Sequence, residues 1–174
     1  MNKPDVSRRD FLRRTSLASA ATIAFPSILR SQSAGAGGSP NNRLNVACIG
    51  VGGQGQSAVN AMQNENLVAL CDVDDARAAD TYAKHPNVPR YRDYRELLDK
   101  LGNQIDAVTI STPDHMHYPI AVAALQLGKH VFVEKPMTHT IWEARQLAKL
   151  AREKKVATQM GNQGHALEGT RLLK

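Results

Sequence analysis

The chain has 174 residues, an apolar fraction of 42% and a formal net charge of +6. That length holds one domain of ordinary size, and the apolar fraction is typical of a packed core, which excludes a largely disordered chain. The charge is uneven, because residues 1–36 carry a net +4 and leave only about +2 for the remainder. A balance this small, without a patch of arginines and aromatic residues, argues against a nucleic-acid partner.

The first 36 residues have the layout of an export signal. Paired arginines in SRRDFL, residues 7–12, precede a mildly apolar run over 15–29, and residues 34–36 form an A-x-A-like cleavage site. The segment resembles a twin-arginine (Tat) signal. We therefore predict a signal peptide over 1–36, a linker over 37–43, recognition by the Tat export machinery and a periplasmic or other extracytoplasmic location. A disordered basic tail or an uncleaved amphipathic anchor is the alternative.

Strand-like and helix-like segments alternate after the linker. Capping-box patterns at Asp93 with Glu96, and at Thr140 with Glu143, mark helix starts, and Gly128 fits a left-handed helix end. The alternation predicts an α/β fold, a Rossmann-type doubly wound parallel sheet over residues 44–165. The apolar runs that predict its buried strands are LNVACIG, NLVALCDVD, VPRY, IDAVTIS, KHVFVEK and VATQMG.

A glycine-rich loop, GVGGQG, follows the first predicted strand. It fits the dinucleotide fingerprint G-x-G-x-x-G at Gly50, Gly52 and Gly55. In that fingerprint the glycines allow a tight turn, close approach of a diphosphate and close helix packing. The diphosphate then lies at the start of the next helix, where free N–H groups favour an anion. A P-loop is the alternative, but it requires a lysine where this sequence has Gln56.

An acidic residue ends the second predicted strand. Asp72 lies 22 residues after Gly50, where Rossmann domains carry the carboxylate that accepts hydrogen bonds from the adenosine ribose. The same carboxylate would repel a 2′-phosphate, and no arginine follows it directly. We therefore expect NAD as the cofactor, with NADP disfavoured. The alternative is that the glycines serve only a strand–helix turn.

Two further segments resemble a known family. STPDHMHYPIAVAALQLGKHVFVEKPM, residues 111–137, closely resembles the signature region of the Gfo/Idh/MocA oxidoreductases. It combines STP…H after the fourth strand with EKP after the fifth, and the resemblance extends over about residues 44–165. The resemblance implies an NAD-dependent enzyme with a small, sugar-like substrate, and a homo-oligomer in the full-length form.

The resemblance also implies roles for individual residues. Lys135 matches the catalytic lysine that lies between the cofactor and the substrate hydroxyl, and it also counts among the cofactor contacts. Glu134 would contact the nicotinamide ribose, and Gln163 could reach the cofactor or the substrate. The other implied cofactor-binding residues are Gly50, Gly52, Gly53, Gln54 and Gly55 in the diphosphate loop, Asp72 at the adenosine ribose, and Ser111, Thr112, Pro113 and His117 at the nicotinamide end.

These residue types suit the oxidation of an alcohol. A hydride leaves to the nicotinamide while Lys135 takes the hydroxyl proton, provided that its pKa is lowered; we expect partial burial and the cationic nicotinamide ring to lower it. The expected function is an exported oxidoreductase acting on a sugar, polyol or related cyclic alcohol. The alternatives are an NAD-dependent glycoside hydrolase with a transient redox cycle and a nucleotide-binding module without catalysis.

Neither the histidines nor the cysteines predict a metal site. His115 and His117 are two residues apart and do not share a helix face, and no third ligand lies nearby in the sequence. Cys48 and Cys71 lie in separate apolar runs without C-x-x-C spacing. We expect buried, unreactive thiols, and an exported protein leaves a disulfide between them open as the alternative.

The resembling family has a second α/β domain that binds the substrate and supplies a catalytic histidine. We expect that domain to be essentially missing from this sequence, because residues 166–174 read as the start of a truncated C-terminal region without a helix stop signal. We therefore expect a fragment limited to nucleotide binding, with no dehydrogenase turnover of its own.

Overall fold

The computed structural model describes residues 43–166 and 168–172. The predicted signal peptide, the linker up to residue 42 and residues 167, 173 and 174 lie outside the described residues. In the described part, none of the helices combines the length and the apolar character that crossing a bilayer requires.

The centre of the fold is a six-stranded sheet in the order β3-β2-β1-β4-β5-β6. Every neighbouring pair is parallel. This order, with two halves wound outward from β1 and β4, confirms the predicted Rossmann-type doubly wound sheet. The strands are β1 (Asn45–Ile49), β2 (Asn66–Cys71), β3 (Arg90–Tyr91), β4 (Ala107–Ile110), β5 (His130–Glu134) and β6 (Thr158–Gly161).

Helices connect the parallel strands and cover both faces of the sheet. Because side chains alternate between faces along a strand, β1 sends Ala47 and Ile49 into one apolar cluster and Val46 and Cys48 into the other. The helices of the described part are α1 (Gly55–Ala61), α2 (Ala79–Lys84), α3 (Tyr94–Leu101), α4 (His117–Gln126), α5 (Ile141–Lys154) and α6 (Glu168–Leu172).

The two cysteines belong to different faces of the sheet. Cys48 lies in the cluster that α1 and α2 cover, whereas Cys71 lies in the cluster on the opposite side. Both thiols are free and buried. The sheet itself therefore separates the sulfur atoms, which rules out the disulfide that the sequence left open.

The two predicted capping boxes differ in the structure. Thr140 and Glu143 form the complete box at the start of α5. At α3, the Asp93 side chain accepts from the backbone N–H of Arg95 at 2.9 Å. The Glu96 carboxylate instead forms an ion pair with Lys100 at 2.6 Å. The capping box predicted at α3 is therefore only half formed, because a lysine one turn later competes for the glutamate.

Candidate functional site

A crevice of about 630 Å³ opens at the carboxyl ends of the strands. It lies where the winding of the sheet reverses between β1 and β4, the usual ligand position in doubly wound folds. Its volume falls within the range of small-molecule and cofactor sites. The wall consists of Ile49, Gly50, Gly52, Gln54, Cys71, Asp72, Val73, Asp74, Arg77, Arg92, Tyr94, Ser111, Thr112, Pro113, His115, Met116 and Ile120.

The glycine loop forms the wall between β1 and α1. Gly50 has φ +78°, and a Cβ there would lie 2.6 Å from the carbonyl carbon of Ser111. A Cβ on Gly55 would overlap the carbonyl oxygen of Gly50. The loop therefore packs tightly against the end of β4, as the fingerprint predicts, and leaves its backbone open to the crevice.

Asp72 links the end of β2 to the glycine loop. Its Oδ2 accepts from the backbone N–H groups of Val51 and Gly52, each at 2.9 Å, and its Oδ1 accepts from that of Asp74 at 3.1 Å. The side chain is only partly buried and lines the crevice. The carboxylate thus shapes the loop in addition to facing the place predicted for the adenosine ribose.

Arg77 is a wall residue that the sequence argument missed. A Cβ on Gly52 would lie 2.7 Å from Arg77 Cγ, and one on Gly53 would lie 2.9 Å from Nη2. The arginine side chain therefore crosses the glycine loop. Among residues 43–166 and 168–172, its guanidinium has no acidic partner at ion-pair distance. Its place in the turn after β2, at the same sheet edge as the glycines, was the available signal.

Two hydroxyl groups at the end of β4 lack hydrogen-bond partners. Ser111 Oγ and Thr112 Oγ1 are buried and make no hydrogen bond within the described part of the chain. A buried hydroxyl without a partner is costly, so these atoms fit a site that a polar ligand completes. Together with the glycine cradle, they are the features by which the crevice fits a dinucleotide.

His117 lies beneath the wall rather than on it. Its side chain is 1% exposed. Nδ1 is 2.6 Å from the carbonyl oxygen of Pro136, and Nε2 is 2.9 Å from that of Thr112. The ring therefore does not line the crevice, where the resemblance implied that it would contact the nicotinamide. His115 lines the crevice in its place.

Glu134 is buried at the end of β5. Its Oε1 accepts from Gln163 Nε2 at 2.9 Å. A Cβ on Gly161 would lie 2.8 Å from Glu134 Oε2, so the glycine leaves room for the carboxylate. Gln163 therefore contacts Glu134, which makes it a neighbour of a predicted cofactor residue.

Lys135 is exposed to solvent at the end of β5. The described residues therefore do not supply the partial burial expected for it. Of the predicted site residues, the crevice wall brings together Gly50, Gly52, Gln54, Asp72, Ser111, Thr112 and Pro113; Gly53, Gly55, His117, Glu134 and Lys135 lie outside that wall.

Metal-binding groups do not cluster in the part of the chain that the structure describes. There, no group of three or more His, Cys, Asp or Glu side chains is placed to hold an ion.

Burial raises the pKa of Cys48 to about 11, with a smaller opposing effect from its hydrogen bond to Thr109. Burial also raises the pKa of Cys71 to about 12, aided by the carboxylates of Asp72, Asp93 and Glu96. Both thiols are therefore protonated at neutral pH.

Known proteins share this architecture. Residues 44–162 match the family model described as the GFO_IDH_MocA oxidoreductase family, NAD-binding Rossmann fold. An uncharacterized oxidoreductase of Synechocystis is 37% identical over 68% of this chain and 32% of its own length. An alpha-N-acetylgalactosaminidase of Shewanella oneidensis is 36% identical over 72% of this chain and 30% of its own.

A solved structure extends the likeness to three dimensions. The UDP-N-acetylglucosamine 3-dehydrogenase of Acidithiobacillus ferrooxidans superposes with a TM-score of 0.66 at 27% identity, over 75% of this chain and 41% of that one. The chain spans about a third of the length of the two curated relatives. The family match covers most of the chain, and the matched segment contains the crevice. The chain therefore belongs to the Gfo/Idh/MocA oxidoreductase family and carries its NAD-binding Rossmann fold.

Proposed function

We propose that the chain binds NAD across the crevice, with the diphosphate on the glycine loop and the adenosine ribose at Asp72. Ser111, Thr112 and Pro113 would then hold the nicotinamide end, and Lys135 would serve the substrate hydroxyl. The observation that carries this proposal is the crevice itself, which joins the glycine loop, an acidic strand end and two hydroxyls without partners. Each of these features suits one part of a dinucleotide.

The charges around the adenosine end favour NAD over NADP. Asp72 and Asp74 both line the crevice and would repel a 2′-phosphate. Arg77 and Arg92 also line it, but Arg92 donates to the Val73 carbonyl at 2.8 Å and pairs with Asp75 at 3.5 Å. Arg77 has no acidic partner among the described residues and is the arginine that we propose neutralises the diphosphate.

The reaction we propose is hydride transfer from a sugar-like alcohol. When bound, NAD would accept the hydride from the substrate carbon. The chain's own contribution is Lys135, whose Nζ takes the proton from the substrate hydroxyl. Glu134, held by Gln163, would fix the nicotinamide ribose. The chain spans about a third of the length of the two curated relatives, and we propose that turnover also uses residues of a substrate domain.

The substrate class we propose is a sugar, polyol or related cyclic alcohol. Two of the similar proteins, the Shewanella galactosaminidase and the Acidithiobacillus dehydrogenase, are named for N-acetylated amino sugars. This agreement favours an N-acetylhexosamine among the candidates.

A glycoside hydrolase with a transient redox cycle is the second candidate. It is favoured by relatives named as glycosyl hydrolase family 109 proteins, one of which, from Solibacter usitatus, is 33% identical over 81% of this chain. A dehydrogenase accumulates NADH from a free sugar, whereas the hydrolase releases nitrophenol from a nitrophenyl N-acetylhexosaminide without net NADH. Measuring both products for this chain fused to a relative's substrate domain separates the two functions.

Export through the Tat pathway remains part of the proposal. It rests on the paired arginines and the small-residue exit of residues 1–36. Fusing this segment to a reporter that is active only outside the cytoplasm tests it, with Arg8→Lys/Arg9→Lys as the control. We expect export of the natural segment and its loss in the double variant; a reporter that stays inside with both would refute the proposal.

Binding of NADH can be followed by its fluorescence, with two matched glycine substitutions. Gly52→Ala places a methyl group in the crevice wall against Arg77, whereas a Cβ on Gly102 meets only Leu127 Cδ1 at 3.6 Å. We expect saturable binding to the natural chain and to Gly102→Ala, competed by NAD, and a loss of about tenfold or more for Gly52→Ala. Equal binding of NADH by both variants would show that the glycine loop is not part of the binding site.

A further inference from the structure

His117 joins two segments that follow neighbouring strands. It is the first residue of α4, and its ring faces the carbonyl oxygen of Thr112, after β4, and that of Pro136, after β5. Pro136 directly follows Lys135, and Thr112 lines the crevice. One buried ring therefore spans the gap between the proposed nicotinamide wall and the proposed catalytic lysine.

The chemistry of the two contacts restricts the role of the ring. A backbone carbonyl accepts and never donates, so each contact is a hydrogen bond when the facing nitrogen carries a hydrogen. The Nδ1–H tautomer donates to Pro136, the Nε2–H tautomer donates to Thr112, and a doubly protonated ring donates to both. In each neutral form the ring holds one segment by a hydrogen bond, while the other carbonyl faces a nitrogen without a hydrogen; the doubly protonated ring holds both segments.

The burial of this ring argues against direct contact with the cofactor. At 1% exposure the side chain cannot reach a molecule in the crevice without leaving both carbonyls. His115, two residues earlier, is on the wall and is free to make such contacts. The position of His117 is therefore suited to holding the protein around the site and not to touching what binds there.

We infer that His117 is a positioning residue: it fixes the Lys135–Pro136 segment against Thr112 and so sets how the lysine faces the nicotinamide end. This inference rests on the proposed NAD site and deepens it. It predicts that the loss of the ring weakens binding of the nicotinamide half of NAD. Binding of the adenosine diphosphate half, at the glycine loop and Asp72, remains.

The test compares NAD with ADP as calorimetric ligands of the 174-residue chain. His117→Ala is expected to lower the affinity for NAD about tenfold, as the loss of a buried hydrogen bond does, and to leave the affinity for ADP within about twofold. His139→Ala, which removes an exposed ring three residues after Pro136, is the matched control and should change neither affinity. Equal losses for both ligands would show a merely structural role and overturn the inference.

Two conservative variants divide the contacts. Asparagine places an amide nitrogen near the position of Nδ1, and glutamine places one near that of Nε2. His117→Asn should therefore keep the contact with Pro136, and His117→Gln the contact with Thr112. We expect each to recover part of the affinity for NAD that His117→Ala loses. The inference would be overturned if His117→Ala, His117→Asn and His117→Gln all bound NAD as tightly as the natural chain does.

A measurement on the natural chain keeps the test valid if His117→Ala fails to fold. Nitrogen-15 spectra of the histidine rings should show one or two His117 ring N–H groups protected from exchange with water. Rapid exchange of both ring N–H groups with water would overturn the inference that His117 joins the two segments. If the natural chain binds neither NAD nor ADP, the proposed function fails, whereas the ring spectrum still shows whether His117 joins the Thr112 and Pro136 segments.

Discussion

At the residue scale, Asp72 has two structural tasks at the end of β2. It accepts from two N–H groups of the glycine loop, and it gives the crevice a negative charge at the place proposed for the adenosine ribose. The sequence predicted the second task from its spacing to Gly50. The first depends on how the loop turns back over the strand end, and that turn is a three-dimensional feature.

Asp72→Asn should weaken the preference for NAD over NADP. The amide keeps an acceptor oxygen but loses the charge, so it holds the ribose less well and no longer repels a 2′-phosphate. We expect the ratio of the NAD and NADP affinities to fall about tenfold or more, which corresponds to the loss of one close charge repulsion. Calorimetric titration with both dinucleotides measures the ratio, and an unchanged ratio would contradict the role given to this carboxylate.

Arg77 should contribute charge to the diphosphate site. Its side chain crosses Gly52 and Gly53, so Arg77→Gln removes a cation next to the proposed phosphates. We expect NAD and ADP to bind about tenfold more weakly at low ionic strength, with a smaller difference in high salt because salt screens the interaction. Arg145→Gln, an exposed arginine on α5, is the control. Loss of affinity that is independent of salt would argue against a charge effect.

At the element scale, the capping patterns predicted both helix starts correctly, but only one of the two predicted boxes is complete in the structure. Thr140 and Glu143 satisfy each other at α5, with Glu143 Oε2 accepting from the N–H of Thr140 at 2.9 Å. At α3 the exposed ion pair between Glu96 and Lys100 replaces the return bond. The residue one turn after each glutamate decides the outcome, and it is Leu147 at α5 but a lysine at α3.

Thr140→Ala should therefore cost more stability than Glu96→Ala. Removing a threonine cap costs about 1 kcal/mol of unfolding free energy, whereas an exposed ion pair contributes about 0–1 kcal/mol, commonly near the lower end. Urea unfolding followed by circular dichroism measures both variants against the natural chain. A larger loss for Glu96→Ala would contradict the half-formed box at α3 and the complete box at α5.

The sequence predicted the elements better than it predicted the side chains of the site. Strand periodicity and glycine spacing are local features, so the sheet and the glycine loop could be read directly. Arg77 and His117 act across space: one crosses a loop 24 residues earlier, and the other bonds to Pro136, 19 residues later. Their side-chain directions depend on packing that no short pattern records.

At the scale of the whole molecule, the sheet divides the interior into two apolar layers. Cys48 lies in one and Cys71 in the other. Burial in these layers raises both thiol pKa values above the ordinary 9.0, to about 11 and about 12. The folded chain therefore keeps both thiols protonated at pH values where the unfolded chain ionises them.

This difference predicts a loss of stability in alkali. Below pH 9 the thiols are protonated in both states and add no pH dependence; from pH 9 towards 11 only the unfolded chain releases the protons, so the unfolding free energy falls. Between pH 8 and pH 10 we expect about 1 kcal/mol per thiol. The Cys48→Ala/Cys71→Ala variant, though less stable throughout, should lose less over this interval in urea unfolding. If the variant and the natural chain lost the same unfolding free energy over this interval, the assignment of the pH dependence to the two thiols would be contradicted.

Binding of NAD in the crevice is the central claim, and isothermal titration calorimetry on the 174-residue chain tests it directly. We predict saturable binding of one NAD per chain, tighter than that of NADP, competed by ADP and weakened by Gly52→Ala but not by Gly102→Ala. A natural chain that is folded by circular dichroism and yet gives no heat of binding with NAD, NADH or ADP at any temperature tried would contradict it.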